Sequence, residues 1–222
     1  MMFKFVALIP ARKGSKGIKN KNLKKINGYS LVELAVRVAI KSKIFNKIIL
    51  STDSNTIIKS VSKYGIITHK RPKVLSKDKS HISETIKEIK KKFELNKNYY
   101  LIILEPTSPL RIVSDIKKAH KEIIKNKYDS ICTFTEAFTI PYRSWTLDKK
   151  EMKPFLLNNK NIWVNRQQFG KFYQAIGHVV GVNLNKYKHN ILFGNKGYQL
   201  INKSRAIDID DIEDLKIVKK II

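Results

Sequence analysis

An apolar run of strand length, Phe3 to Ile9, opens directly into Pro10-Ala11-Arg12-Lys13-Gly14-Ser15-Lys16-Gly17-Ile18-Lys19-Asn20-Lys21-Asn22. This junction limits the fold more than any other stretch of the chain. A buried strand feeding a loop of cations, small residues and amides is the arrangement that cradles a triphosphate. Gly14 and Gly17 let the backbone approach a ligand, and Arg12, Lys16 and Lys21 neutralise several negative charges together. The loop is not a Walker A motif, because no glycine stands five residues before a Gly-Lys-Ser/Thr. It is not a dinucleotide fingerprint either, since the next helix begins only near Ser30. From spacing alone, a lysine-rich surface loop stays open as the alternative.

The first half of the chain alternates strand and helix. After Phe3 to Ile9 come a helix from Ser30, a strand over Lys47 to Ser51, a helix near Asn55 to Lys63 and a strand over Ile66 to Thr68. That rhythm predicts an α/β domain with a parallel sheet. Ser30-Leu31-Val32-Glu33 reads as a capping box, and Leu31, Leu34, Ala35 and Val38 share one helix face. Ser83 is placed to cap a third helix whose Ile86, Ile89 and Phe93 point inward. Tyr99 to Leu104 is the next strand, followed by a helix over Ser114 to Lys125 and a strand over Ser130 to Thr135. From Phe138 to Tyr173 the rhythm breaks, with Pro141, Trp145, Pro154 and Trp163 irregularly spaced; this is the candidate insertion. Strand signal resumes at Ile176 to Val182 and before Asp208, and an amphipathic helix runs from Ile212. With 222 residues, one domain over 1–222 carrying an insertion at about 138–173 is expected.

Ligands of open parallel sheets sit beyond the carboxyl ends of the strands. Three loops fall there: the basic loop, Thr52-Asp53, and Glu105-Pro106-Thr107-Ser108-Pro109-Leu110-Arg111. The two prolines hold the last loop away from helix. Asp208-Ile209-Asp210 sets two carboxylates two residues apart, which in a strand share a face. They suit Mg²⁺ shared with substrate phosphates; equally, they complement the positive end of the last helix.

The formal charge of +27 comes with only 7 arginines among 45 basic residues, so the excess is dispersed lysine. Nucleic-acid binders concentrate arginine with aromatics, and no such patch stands out, so no nucleic-acid partner is expected. No apolar stretch approaches the roughly 20 residues that span a bilayer, so no membrane partner is expected. The single cysteine, Cys132, lies in an apolar run, in keeping with a cytoplasmic setting. His69, His81, His120 and His189 show no metal-ligand spacing, and His178 is either a hydrogen-bond donor or idle.

Arg12, Ser15-Lys16 and Lys21-Asn22 resemble the signature A-R-x-x-S-K-x-x-x-x-K-N of the CMP-sialic acid synthetases, or acylneuraminate cytidylyltransferases. Glu105 to Arg111 resembles that family's Q-P-T-S-P-L-R, with Glu105 in place of glutamine. Ile176-Gly177-His178 departs from a family Asn-Gly. The resemblance implies a three-layer, Rossmann-like nucleotidyltransferase with a mostly parallel mixed sheet and a dimerisation insertion. It implies transfer of CMP from CTP to the anomeric hydroxyl of an acidic nonulosonic sugar with release of pyrophosphate, in lipopolysaccharide or capsule biosynthesis. A CMP-KDO-type or other sugar nucleotidyltransferase, and a non-catalytic nucleotide- or nucleic-acid-binding protein, are the rival readings.

By that resemblance Arg12, Lys16 and Lys21 are catalytic. Ala11, Gly14, Ser15, Asn22, Ser83 and Arg111 join them around the nucleotide. Glu105, Thr107, Ser108, Arg143, Arg166 and Gln167 meet the sugar, and Asp208 and Asp210 hold Mg²⁺ or Mn²⁺. The insertion implies a homodimer whose arginines reach the partner's site.

Overall fold

In a computed structural model of the chain, the described residues are 3–15, 17–77, 80–95, 98–156, 165, 167 and 170–222. The first strand, β1 (Lys4–Pro10), alternates its side chains between two buried faces: Phe5, Ala7 and Ile9 enter one core cluster, Val6 and Leu8 another. A strand apolar on both faces must be covered on both, which places it in the middle of a layered sheet. A short hairpin follows, β2 (Lys25–Ile26) and β3 (Tyr29–Ser30), turned by Asn27 and Gly28 at φ 47° and 82°. Both turn residues lie in the left-handed region that Asn-Gly tolerates best.

Helix α1 (Leu31–Ser42) starts on the expected capping box: Ser30 Oγ accepts the Glu33 N–H and the Glu33 carboxylate accepts the Ser30 N–H. Strand β4 (Lys47–Thr52), helix α2 (Asn55–Val61) and strand β5 (Ile67–Lys70) continue the rhythm, then helix α3 (Ile82–Lys92), strand β6 (Tyr99–Ile103), helix α4 (Val113–Asn126) and strand β7 (Ser130–Glu136). The excursion after β7 carries a hairpin, β8 (Trp145–Asp148) and β9 (Glu151–Pro154). Strand β10 (Tyr173–Asn183), strand β11 (Lys196–Leu200) and helix α5 (Ile212–Ile221) close the chain.

The seven-stranded sheet has the order β11-β7-β10-β6-β1-β4-β5. Strand β10 is antiparallel to β6 and β7, while β1 is parallel to β4 and β6. Helices α1, α2 and α4 cover one face through Val36, Ala39, Ile57, Val61, Ala119 and Ile123; α3 covers the other through Ile86 and Ile89. The result is a three-layer α/β fold with a mostly parallel mixed sheet. A third cluster joins Ile18, Ile26 and Leu31 to Leu110, Ile209, Leu215 and Val218. It fastens the basic loop and the last helix to the carboxyl edge of the sheet.

Three expectations are corrected. The third helix is capped by His81, whose Nδ1 accepts the Ser83 N–H at 3.3 Å, and Ser83 lies one residue inside the helix. Asp208-Ile209-Asp210 belongs to no strand, because its backbone meets a loop rather than a sheet. The excursion, patternless by sequence, contains an ordered hairpin. Among the described residues no helix is long and apolar enough to cross a membrane.

Candidate active site

The basic loop is pinned where it leaves the sheet. The Ala11 N–H donates to the Ser51 carbonyl at 2.9 Å, adding one rung beyond β1. The buried Asn22 amide donates to the Arg12 carbonyl at 2.9 Å, and the Lys13 N–H donates to Asp53 Oδ1 at 2.7 Å. Loop ends held in this way present Arg12, Ser15 and Lys21 to one cleft. Gly17 lines the cleft and has a further task. A Cβ on Gly17 would collide with the Asp210 carbonyl oxygen, so the glycine permits close passage of two chain segments. Gly14 has no heavy atom within 4 Å of a built Cβ and is exposed.

The acidic segment sits opposite. Its Ile209 N–H donates to the Thr107 carbonyl at 2.8 Å, and Ile209 is fully buried between two outward-facing carboxylates. Lys21 Nζ donates to the Ile209 carbonyl at 2.7 Å and to Asp210 Oδ1 at 3.1 Å. Asp208 Oδ1 accepts from Ser108 Oγ at 3.4 Å. Helix capping is done by other groups: Asp211 Oδ1 accepts the N–H groups of Glu213 and Asp214, and Asp214 accepts those of Asp210 and Asp211. The side chains of Asp208 and Asp210 take no part in capping.

Between these segments lies a cleft of about 600 Å³, lined by Arg12, Ser15, Lys21, Asn22, Glu105, Thr107 and Asp210 among the residues expected there. Leu75, Ile82 and Thr85 give it a mixed wall, and Arg71 a further guanidinium. Arg71 is buried, and it donates to the Ser51 hydroxyl and carbonyl, both at 3.0 Å. Ser51 Oγ in turn meets His69 Nδ1 at 3.0 Å, and His69 Nε2 lies 3.1 Å from Glu88. Burial holds the Arg71 pKa below its ordinary value, while Asp53 opposes the shift.

Glu105 lies half-buried in the cleft wall, its carboxyl packed on Gly177 of β10. Burial, and then the Asp208 charge, push its pKa up to about 7. A carboxyl that is about half protonated near neutrality sits more easily beside neighbouring carboxylates, and its protonated form offers an O–H where glutamine would offer an N–H.

Arg111, expected at the nucleotide, is turned away from the cleft. Its guanidinium donates to the carbonyls of His178, Glu105 and Gly177, so it locks the loop to β10. Burial lowers its pKa to about 10. Ser83 is fully buried against His81 and lines no cleft. Ala11 and Ser108 are buried supports, and Arg143 and Gln167 are exposed on the excursion without lining this chain's cleft. Lys16 and Arg166 lie outside the described residues. Among the described residues no group of three or more His, Cys, Asp or Glu side chains forms a metal cage.

Arg71 was missed by sequence reasoning, although it follows β5 directly and so obeys the carboxyl-edge rule. Asp115 and Arg205 carry no local signal, because their pairing spans 90 residues, and His178 stands out by type while its partner Asp115 lies 63 residues away.

Residues 6–219 match the family model described as cytidylyltransferase. The chain is 31% identical over 235 residues to post-translational flagellin modification protein B of Campylobacter coli, covering 100% of this chain and 96% of that protein. It is 27% identical to the CMP-N,N'-diacetyllegionaminic acid synthase of Legionella pneumophila over 99% and 96% of the two chains. It is 29% identical to the N-acylneuraminate cytidylyltransferase of Escherichia coli O18:K1:H7, covering 98% of this chain and 52% of that protein. The chain therefore spans about half the length of that relative. Among solved structures, a CMP:2-keto-3-deoxy-manno-octonic acid synthetase complexed with CTP superposes with a TM-score of 0.70 at 13% identity, over 98% of each chain.

Proposed function

We propose, for a chain that belongs to the cytidylyltransferase family, that it transfers CMP from CTP to the anomeric hydroxyl of an acidic nonulosonic sugar and releases pyrophosphate. The observation that carries this reading is the meeting of Lys21 with Asp210 in a cleft shared with Arg12 and Arg71. Cations for a triphosphate and a carboxylate for a hard cation then face one space, with Asp208 two residues away. Relatives named for acylneuraminate and diacetyllegionaminate activation support the nonulosonate as acceptor.

The chemistry asks for position and charge, with no covalent protein intermediate. Arg12 and Lys21 bind the phosphates and stabilise charge that develops on the departing pyrophosphate. The fixed Asn22 and Asp53 contacts keep Arg12 in place, so little reorganisation is needed on binding. Arg71, Leu75 and Ile82 form the wall available to the base. Glu105 and Thr107 border the space left for the sugar.

Asp208 and Asp210 suit Mg²⁺, or Mn²⁺, for a specific reason. Two carboxylates without a closed cage leave room for phosphate oxygens and water, which Mg²⁺ demands. The bound ion would supply Lewis-acid polarisation of the α-phosphate. Before a nucleotide binds, Lys21 holds Asp210 beside the cleft.

A homodimer is part of the proposal. In the β8–β9 hairpin, Trp145 and Leu147 lie across from Pro154 and Met152, while Thr146, Asp148, Glu151 and Lys153 take the other face. The apolar face is uncovered, with Leu147 68% and Met152 56% exposed. A second copy would cover it and bring Arg143 to the neighbouring cleft. A cytoplasmic location accompanies the use of CTP. The test is pyrophosphate release with each nucleoside triphosphate against a panel of sialic, legionaminic and pseudaminic acids and KDO. Release with CTP and a nonulosonate is expected; release only with KDO, or none, would refute the assignment.

A further inference from the structure

We propose that Arg205, Asp115 and His178 form a buried clasp that positions the Asp208–Asp210 segment, making them positioning residues for the reaction above, on which this inference rests. None of the three lines the cleft. Arg205 ends the 3₁₀ turn Lys203–Arg205, immediately before residues 206–210, which belong to no helix or sheet. Its guanidinium holds Asp115 in a two-pronged contact, Nη1 to Oδ2 at 2.7 Å and Nη2 to Oδ1 at 3.0 Å. Such planar pairing fixes both distance and angle, which a lysine contact does not.

Asp115 is anchored in turn. It is 3% exposed, accepts the Ile112 N–H at 2.9 Å and meets His178 Nε2 at 2.9 Å. Those bonds, with the Arg205 fork, outweigh burial and hold its carboxyl well below the usual carboxylate range. Burial keeps His178 below its ordinary pKa, with Arg111 and Arg205 opposing protonation and Asp115 favouring it. A neutral imidazole donating from Nε2 to a carboxylate is the arrangement that results. His178 sits within the register shift of β10, between Ile176 and Val180, and its own carbonyl accepts from Arg111.

The clasp therefore ties together three segments that border the acidic end of the cleft. Arg111 and Ile112 bring in the Glu105 loop, His178 brings in β10, and Arg205 brings in the acidic segment. The segment's other moorings are the burial of Ile209 in the third cluster, the Ile209 N–H on Thr107, the Asp210 N–H on Asp214, the Ser108 contact with Asp208, and Lys21. A guanidinium fork a few residues upstream is what sets the approach of Asp208 to that loop. Supports of this kind, which touch only the residues that touch the ligand, are worth about tenfold to a hundredfold in function.

The test combines amide hydrogen exchange with kinetics in Arg205→Ala and Arg205→Lys. Arg205 is partly exposed at its side chain, β1 and β6 amides report any general loss of stability, and the lysine variant keeps the charge on Asp115 without the fork. Exchange at residues 206–210 should accelerate about tenfold or more in Arg205→Ala while β1 and β6 amides keep their protection. Turnover should fall about tenfold to a hundredfold with KM for CTP within about twofold, and the lysine variant should lie between. Unchanged exchange at 206–210 in both variants would overturn the clasp, whatever turnover does. Because exchange needs no substrate, it decides the clasp even if the wild-type chain releases no pyrophosphate, an outcome that would refute the activity alone.

Discussion

Lys21 and Asp210 stand 189 positions apart in the chain and meet in an ion pair of 3.1 Å, the same ammonium also capping the Ile209 carbonyl at 2.7 Å. The Lys21 side chain is largely buried, whereas the Asp210 side chain is 80% exposed. The cation is thus fixed by the fold while the carboxylate keeps a free oxygen toward the cleft. Since each neutralises the other, a metal-bound nucleotide would replace this pairing with phosphate on Lys21 and metal on Asp210.

Lys21→Ala should lower pyrophosphate release about tenfold or more, since it removes a charge-assisted contact worth about 1.5 to 3 kcal/mol. Steady-state kinetics with CTP check it, with circular dichroism as control for the fold. Normal turnover would remove Lys21 from the nucleotide cradle.

Gly17→Ala forces a methyl group against the Asp210 carbonyl, a backbone atom that cannot swing aside. Destabilisation of about 1 to 3 kcal/mol is expected, with lower affinity for CTP because the basic loop and the acidic segment are pushed apart. Thermal melts and calorimetric titration with CTP measure both. Gly14→Ala, which meets nothing, is the matched control.

Glu105 gives a pH signature. Its folded-state pKa, raised to about 7 by burial and then by Asp208, lies above the ordinary 4.5. The unfolded state therefore releases this proton first, so the associated stability is complete below about pH 4.5 and is lost as pH rises through 7. Glu105→Gln should remove this component, on the order of 2 kcal/mol, and flatten the difference in stability between pH 5 and 8. Denaturant titrations at the two pH values decide it; an unaltered slope in the variant would place the titration elsewhere.

Leu147→Lys with Met152→Lys should convert a dimer to monomers by charging the uncovered face of the hairpin. Light scattering reads the mass. Mixing Lys21→Ala with Arg143→Ala subunits should recover activity if Arg143 serves the neighbouring cleft. A monomeric wild-type chain would exclude both outcomes.

Local features were legible in the sequence and long-range ones were not. The β1 strand and its basic loop, and the Ser30–Glu33 capping box, depend on residues within a few positions of one another. Asp208 and Asp210 do lie beside the cleft loops, on Ser108 and Lys21 respectively, yet in a segment outside any sheet, because Ile209 pairs with the Thr107 loop. Arg111 looks like a ligand in one dimension; only the fold brings three carbonyls around its guanidinium. Ser83 has the right residue type for a cap but stands two positions after the His81 that performs it. The hairpin's alternation runs for only four residues on each side, too short to stand out among neighbouring prolines and lysines. Arg71 was hidden by the abundance of basic residues, although its place just after β5 marks it.

The metal-nucleotide site is tested most directly by pyrophosphate release from CTP over a Mg²⁺ titration in Asp208→Asn and Asp210→Asn, with the thermal midpoint of each variant. Since Asp211 and Asp214 cap α5 without them, each substitution should cost little stability. Turnover at ordinary Mg²⁺ should fall by about tenfold or more and recover in part at high Mg²⁺ or with Mn²⁺. Near-normal turnover in both variants, with or without a lowered midpoint, would contradict the assignment of Asp208 and Asp210 to the metal.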